Sequence, residues 1–188
     1  MILEGLVTTL NGNGTPHITP MGPEIGATWD LFTLRPFQTS TTYKNLKRDG
    51  EGVLHVTDNV EMLARAAVGE LEPLPALLSA QAVRGVILVD SCRWYAFRVT
   101  HIEDAHERTI IACEVVDRGM QREFWGFNRA KHAVVEAAIL ATRLHLLPPA
   151  EITRQYEHLA VIVDKTCGDQ ERQAFDFLNE YVRKKLSK

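Results

Sequence analysis

The sequence has no surplus of positive charge, no paired cysteines and no long apolar run. Its 188 residues carry 21 Lys and Arg against 24 Asp and Glu, a net charge of −3. Such a balance gives no global basic field to draw the chain to nucleic acid or an acidic membrane, so neither partner is expected. The three cysteines, Cys92, Cys113 and Cys167, lie far apart, are odd in number and form no CxxC pair. A disulfide framework has no basis here, and free buried thiols in a reducing compartment are the expectation. No stretch reaches the roughly eighteen apolar residues of a membrane span, and no basic-then-apolar leader opens the chain. The sequence therefore predicts a cytoplasmic protein. Asn13-Gly-Thr15 matches a glycosylation sequon, but without a secretion signal it reads as a tight turn.

Several catalytic signatures are missing as well. The seven histidines include no HExxH or HxH spacing, so no metal site is expected. There is no GxSxG for a serine nucleophile and no Walker motif. Gly12 and Gly14 sit in Asn11-Gly-Asn-Gly14, a hairpin turn rather than a strand–helix junction, which argues against a dinucleotide fingerprint.

What is present is an ordinary globular balance, with 45% hydrophobic and 24% charged residues. Residues 2–9 and Thr15–Thr19 read as strands across the Asn11–Gly14 turn, the second stopped by Pro20. Thr28–Leu34, Gly52–Thr57, Ala82–Asp90, Arg93–Glu103 and Arg108–Val116 read as further strands. A short helix runs from a Ser40 cap to about Arg48 and ends at Asp49-Gly50. A second follows an Asp58-x-x-Glu61 capping box and ends near Gly69. Leu71–Ser79, with Pro73 and Pro75, reads as a loop or broken helix. From Asn128 the apolar period becomes helical, with three stripes separated by Pro148-Pro149 and by Gly168. Strands first and helices last predict a mainly β barrel or sheet domain over 1–125 and a three-helix extension over 126–188.

The most informative segment is Arg35-Pro-Phe-Gln-Thr-Ser40-Thr41-Thr42-Tyr-Lys-Asn45-Leu46. A helix start presents unpaired N–H groups and the positive end of a dipole. Hydroxyls at the cap, Arg35 upstream and Lys44 and Lys47 along the helix make this a phosphate-binding candidate. Taken alone, the plainer reading of Ser40, an ordinary capped surface helix, is the base case, and the convergence of these neighbours raises the phosphate reading. Thr19-Pro20-Met21-Gly22 is a second candidate, where a glycine after a strand lets backbone approach a flat ligand, or simply turns the chain. Arg129 opens a helix, where the dipole disfavours a cation. It points either to a specific anionic partner, with Glu136 on the same face, or to a solvated side chain.

Together these pieces carry a family resemblance. Thr8-Thr9…Gly14-x-Pro16-x-Ile18-x-Pro20-Met21-Gly22, then Arg35-Pro36-Phe37…Ser40-x-Thr42-x-x-Asn45-Leu46, then Val53…Val56-Thr57-Asp58 resemble the FMN-binding split barrels. With Gly126–Ala137 and Ala141-Thr142-Arg143, the chain is more closely similar to the family called DUF447. The resemblance implies a Greek-key split β-barrel with a C-terminal helical extension, forming a homodimer with flavin near the interface. It implies that Arg35, Ser40, Thr41 and Thr42 hold the FMN phosphate and that Asn45 supports their loop. Pro20, Met21 and Gly22 would lie along the isoalloxazine, and Arg129 would touch the cofactor or lock the interface. It implies a flavin-dependent oxidoreductase of unknown substrate, with a nicotinamide or another small redox partner; a non-catalytic flavin carrier is the alternative. No catalytic residue is assigned, because the flavin performs the redox step itself.

Overall fold

The computed structural model describes residues 1–187 and divides into two compact units. The first comprises Met1–Thr57 and Leu74–Phe124; the second comprises Asp58–Pro73 and the chain from Trp125 onward. In chain order the elements are β1 (Gly5–Leu10), β2 (Pro16–Met21), β3 (Glu24–Ile25), β4 (Leu31–Leu34), α1 (Thr41–Asp49), β5 (Glu51–Val56), α2 (Val60–Val68), β6 (Leu77–Ser79), β7 (Val86–Leu88), β8 (Arg93–Glu103), β9 (Ile110–Met120), α3 (Arg129–Ala141), α4 (Pro149–Thr166) and α5 (Asp169–Leu186).

Seven strands of the first unit form one antiparallel sheet in the order β2-β1-β5-β8-β9-β4-β3, with β6-β7 as a separate pair. The Asn11–Gly14 turn sets the β1–β2 register, with the Gly14 N–H donating to the Asn11 carbonyl at 2.8 Å and Gly14 at φ +83°. Pro20 lies within β2 rather than stopping it. Because β2 is an edge strand, a missing N–H on its open side leaves no ladder bond unmade. The residues preceding β1 join the opposite edge: Ile2 bridges Glu24, and the Leu3 N–H donates to the Pro23 carbonyl at 3.2 Å. The sheet thus curls into a partly closed barrel, in keeping with the mainly β expectation.

Its core gathers Val7, Phe32, Leu34, Leu46, Leu54 and Phe97, with Phe32 edge-on to Phe97 at 5.1 Å. Fully buried His55 ties three strands together. Its Nδ1 lies 3.2 Å from the Leu6 carbonyl, and its Nε2 accepts from the Leu88 N–H at 3.1 Å. That pattern requires the neutral ring with its proton on Nδ1. The stretch expected as a loop or broken helix contains β6, since Leu77–Ser79 lies beyond Pro75 and is free to pair with β7.

In the second unit α3 packs against α2, α4 and α5. Helix α2 belongs here because Val60, Leu63 and Ala64 pack with Ala133, Val134 and Ala137. Its cap is Asn59, which accepts from the Met62 N–H at 2.9 Å, one residue later than the expected Asp58. The Asp58 carboxylate instead accepts from the Trp125 N–H at 3.0 Å. Asn128 caps α3 as expected, accepting from the Lys131 N–H at 3.1 Å. Lys131 pairs with buried Glu171 at 2.7 Å and also donates to the Asp58 carbonyl at 2.7 Å. Among the described residues no helix is long and apolar enough to cross a membrane.

Candidate functional site

Helix α1 begins on the barrel unit directly after Ser40, whose Oγ accepts from the Tyr43 N–H at 3.2 Å. The N–H groups of Thr41 and Thr42 open the helix and have no carbonyl one turn earlier within it. No acidic side chain stands in the first turn to oppose an anion there, and Lys47 and Arg48 occupy the last turn. Thr41 is exposed, Ser40 is half-buried and Thr42 is buried. The helix start therefore offers N–H groups without intrahelical partners and the exposed Thr41 hydroxyl at the positive end of the helix dipole.

Asn45 anchors this helix from inside. Its Nδ2 donates to Thr9 Oγ1 at 2.9 Å and to Asn11 Oδ1 at 3.3 Å, while its Oδ1 accepts from Arg48 at 3.2 Å. These bonds occupy its side chain with protein partners and hold α1 on β1 and the hairpin turn. Lys47 is drawn to Asp104 at 2.8 Å and to the Tyr43 hydroxyl at 2.9 Å, away from a free role. Lys44 is exposed on the same helix. Arg35 follows β4, and its guanidinium meets Glu24 at 3.2 Å in a pair about half exposed.

The structure adds a residue that sequence reasoning missed. His17 on β2 places its Nε2 3.2 Å from Thr42 Oγ1. Burial lowers its pKa below the ordinary 6.5, so the ring is neutral at neutral pH. Nothing in Pro16-His17-Ile18 marks it, because only the packing of α1 on β2 brings the two side chains together. Alternation along a strand puts His17, Thr19 and Met21 on one face. Met21 therefore lies on the face that meets the helix start, about 13 Å further along β2. Pro20-Met21-Gly22 ends this track, and a Cβ on Gly22 would come within 3.0 Å of Ile2 Cγ2. Ser40, Thr41, Thr42 and Asn45 thus share one helix beside His17, with Pro20-Met21-Gly22 down the same strand and Arg35 turned toward Glu24. Arg129 is exposed at the start of α3 in the helical unit.

The fold has parallels among solved structures. An FMN-bound DUF447 protein from Methanosarcina mazei superposes with a TM-score of 0.82 at 20% identity, covering 96% of this chain and 94% of that one. A flavin reductase domain protein from an Arthrobacter species gives 0.56 at 18% identity over 65% of this chain and 79% of that one. A flavoredoxin from Methanosarcina acetivorans gives 0.55 at 8% identity over 65% and 74%. These likenesses establish the split-barrel fold. No curated protein matches the sequence. The family described as protein of unknown function (DUF447) N-terminal domain matches residues 3–122, and the protein of unknown function (DUF447) model matches residues 128–180. The chain belongs to the DUF447 family.

Proposed function

We propose that the protein binds FMN on its barrel unit and works as a flavin-dependent oxidoreductase. One observation carries this reading: a hydroxyl-rich helix start, clear of acidic side chains, heads a strand face that runs on to Pro20-Met21-Gly22. The donor set fits a phosphate. Ser40, Thr41 and Thr42 supply hydroxyls and N–H groups, and Lys44 adds a mobile positive charge. An exposed ion pair such as Arg35–Glu24 contributes about 0–1 kcal/mol, so a phosphate dianion can outcompete Glu24 for the guanidinium. Pro20, Met21 and Gly22 would back the isoalloxazine, and Asn45 would keep α1 in place. Bound flavin supplies the redox chemistry, while the chain binds, orients and shields it. The likeness to the FMN-bound protein from Methanosarcina mazei supports the same cofactor here. In this reading the working form is a cytoplasmic homodimer with flavin near the interface, exchanging electrons with a nicotinamide or another small redox partner. The free thiols suit that compartment.

The test is the absorbance of the purified protein, followed by titration with FMN and with riboflavin. Arg35→Ala and Thr41→Ala are each expected to weaken FMN about tenfold or more while leaving riboflavin nearly unchanged, since only FMN carries the phosphate. A colourless protein that takes up no FMN overturns the proposal. Bleaching of bound flavin by NADH or NADPH without oxygen supports the enzyme; flavin that no nicotinamide or reduced pterin can bleach supports the carrier.

A further inference from the structure

Building on the flavin reading, we infer that His17 is a positioning residue for the cofactor phosphate, acting through Thr42 and taking up a proton when the phosphate binds. Half-buried His17 places Nε2 3.2 Å from the Oγ1 of buried Thr42. Among the described residues neither side chain has another hydrogen-bond partner. The bond can take two forms. Where Nε2 is bare, it accepts the Thr42 hydroxyl proton, and that proton is spent on the ring. Where Nε2 carries a proton, Thr42 Oγ1 accepts it, and the hydroxyl proton is left to donate elsewhere. A protonated ring permits only the second form, because both of its nitrogens are then donors. Thr42 lies in the first turn of α1, beside N–H groups that have no carbonyl within the helix. Protonation of His17 therefore turns Thr42 into a donor where the phosphate is proposed to sit, and sets a positive charge behind it.

The surroundings leave that proton to the anion. Strand β1 and helix α1 pack against β2. Strand β1 carries no ionisable side chain, β2 carries none besides His17, and the turn between them carries none. On α1, Lys47 and the Tyr43 hydroxyl both meet Asp104, Arg48 pairs with Asp49, and Lys44 is exposed. Among the described residues no carboxylate pairs with His17, and burial keeps its ring neutral. A phosphate dianion beside Thr42 reverses the balance, because a nearby negative charge favours the imidazolium. The proton comes from water and ends on the ring, and no covalent bond of the cofactor is made or broken. Lys44 and Arg35 keep their charge throughout the neutral range, so neither can supply this pH dependence.

Two titrations of the full chain test it. The first measures affinity for FMN and for riboflavin between about pH 8.5 and about pH 6.5, in the wild type and in His17→Gln. The glutamine amide can donate to Thr42 but does not titrate. As pH falls, wild-type affinity for FMN is expected to rise at least about threefold relative to His17→Gln, with riboflavin flat in both. Comparing the two proteins cancels the proton that the phosphate itself takes up near about pH 6. The second follows the His17 ring nitrogens of the wild type by NMR and needs no variant that folds. Their pKa is expected to climb from below 6.5 to above about 7 with FMN, and to stay put with riboflavin. A protein that binds FMN but shows an unmoved ring pKa, or a pH profile parallel to that of His17→Gln, overturns the inference and leaves the flavin reading standing. A wild type that binds neither flavin overturns both.

Discussion

In the barrel unit the buried polar side chains are neutral: Thr8, Thr9, Asn45, His55 and Thr109 each bond another group across the fold. In the helical unit they are charged, with Glu171 and Asp58 buried and Lys131 bonded to both residues. The difference follows from the backbone. Short strands such as β7 leave single N–H and carbonyl groups that one neutral side chain can satisfy, as His55 does for Leu88. Helix ends instead present a dipole and several orphan N–H groups, which favour a carboxylate. Glu171 stands in the first turn of α5 and accepts from the Gly168 N–H at 2.8 Å. Removing one partner should therefore cost more in the helical unit.

The largest expected effect is Lys131→Met, which leaves Glu171 buried without its cation and should cost about 3–5 kcal/mol in urea unfolding. Replacing Glu171 by Gln as well should recover part of that loss. His55→Leu removes the partners of the Leu88 N–H and the Leu6 carbonyl and should cost about 2–3 kcal/mol. Equal losses for the two variants would erase the distinction between the units.

Acid sharpens it. Burial pushes His55 down to about 3 from an ordinary 6.5, only partly opposed by its bond to Leu6. The neutral ring stabilises the fold fully above pH 6.5, and that contribution fades as pH falls toward about 3. For Glu171 burial acts upward, but hydrogen bonds from Lys131 and the Gly168 N–H outweigh it and hold the carboxyl below its ordinary 4.5. Its contribution stays whole until pH drops below 4.5. Stability measured against pH should thus begin to decline through His55 before Glu171 takes part. His55→Leu should flatten the decline between 6.5 and 4.5, and an unflattened curve would contradict the assignment.

Smaller effects separate the glycines of the two units. A Cβ at Gly52 of the barrel would stand 2.7 Å from Phe97 Cζ and 3.0 Å from the Thr8 carbonyl oxygen. Gly52→Ala should cost about 1–3 kcal/mol by overpacking. Gly69, which ends α2 at φ +74°, faces open space, so Gly69→Ala carries only the backbone cost of about 1 kcal/mol. Thermal or urea unfolding of both variants compares them directly.

Much of this was legible beforehand where the cause is local. Ser40 and Asn128 cap helices because an oxygen three residues before an orphan N–H can reach it without help from the rest of the chain. Asn11–Gly14 turns because Gly14 tolerates a positive φ. The Asp58 box failed for a non-local reason: the carboxylate is claimed by the Trp125 N–H, far along the sequence, and Asn59 takes the cap. Pro20 does not end β2, because only the sheet order makes that strand an edge.

By itself the sequence determined the order of elements, the hydroxyl-rich start of α1 and the family to which the chain belongs, since these depend on neighbours in the chain and on the identity of motif residues. Only the tertiary structure decided that His17 stands beside Thr42, that Arg35 turns to Glu24, and that the α3 face carrying Arg129 and Glu136 stays exposed. The physical reason is that each depends on which surfaces pack together. A side chain's partner across the fold is set by the shape and burial of whole elements, and local residue pattern carries no record of it.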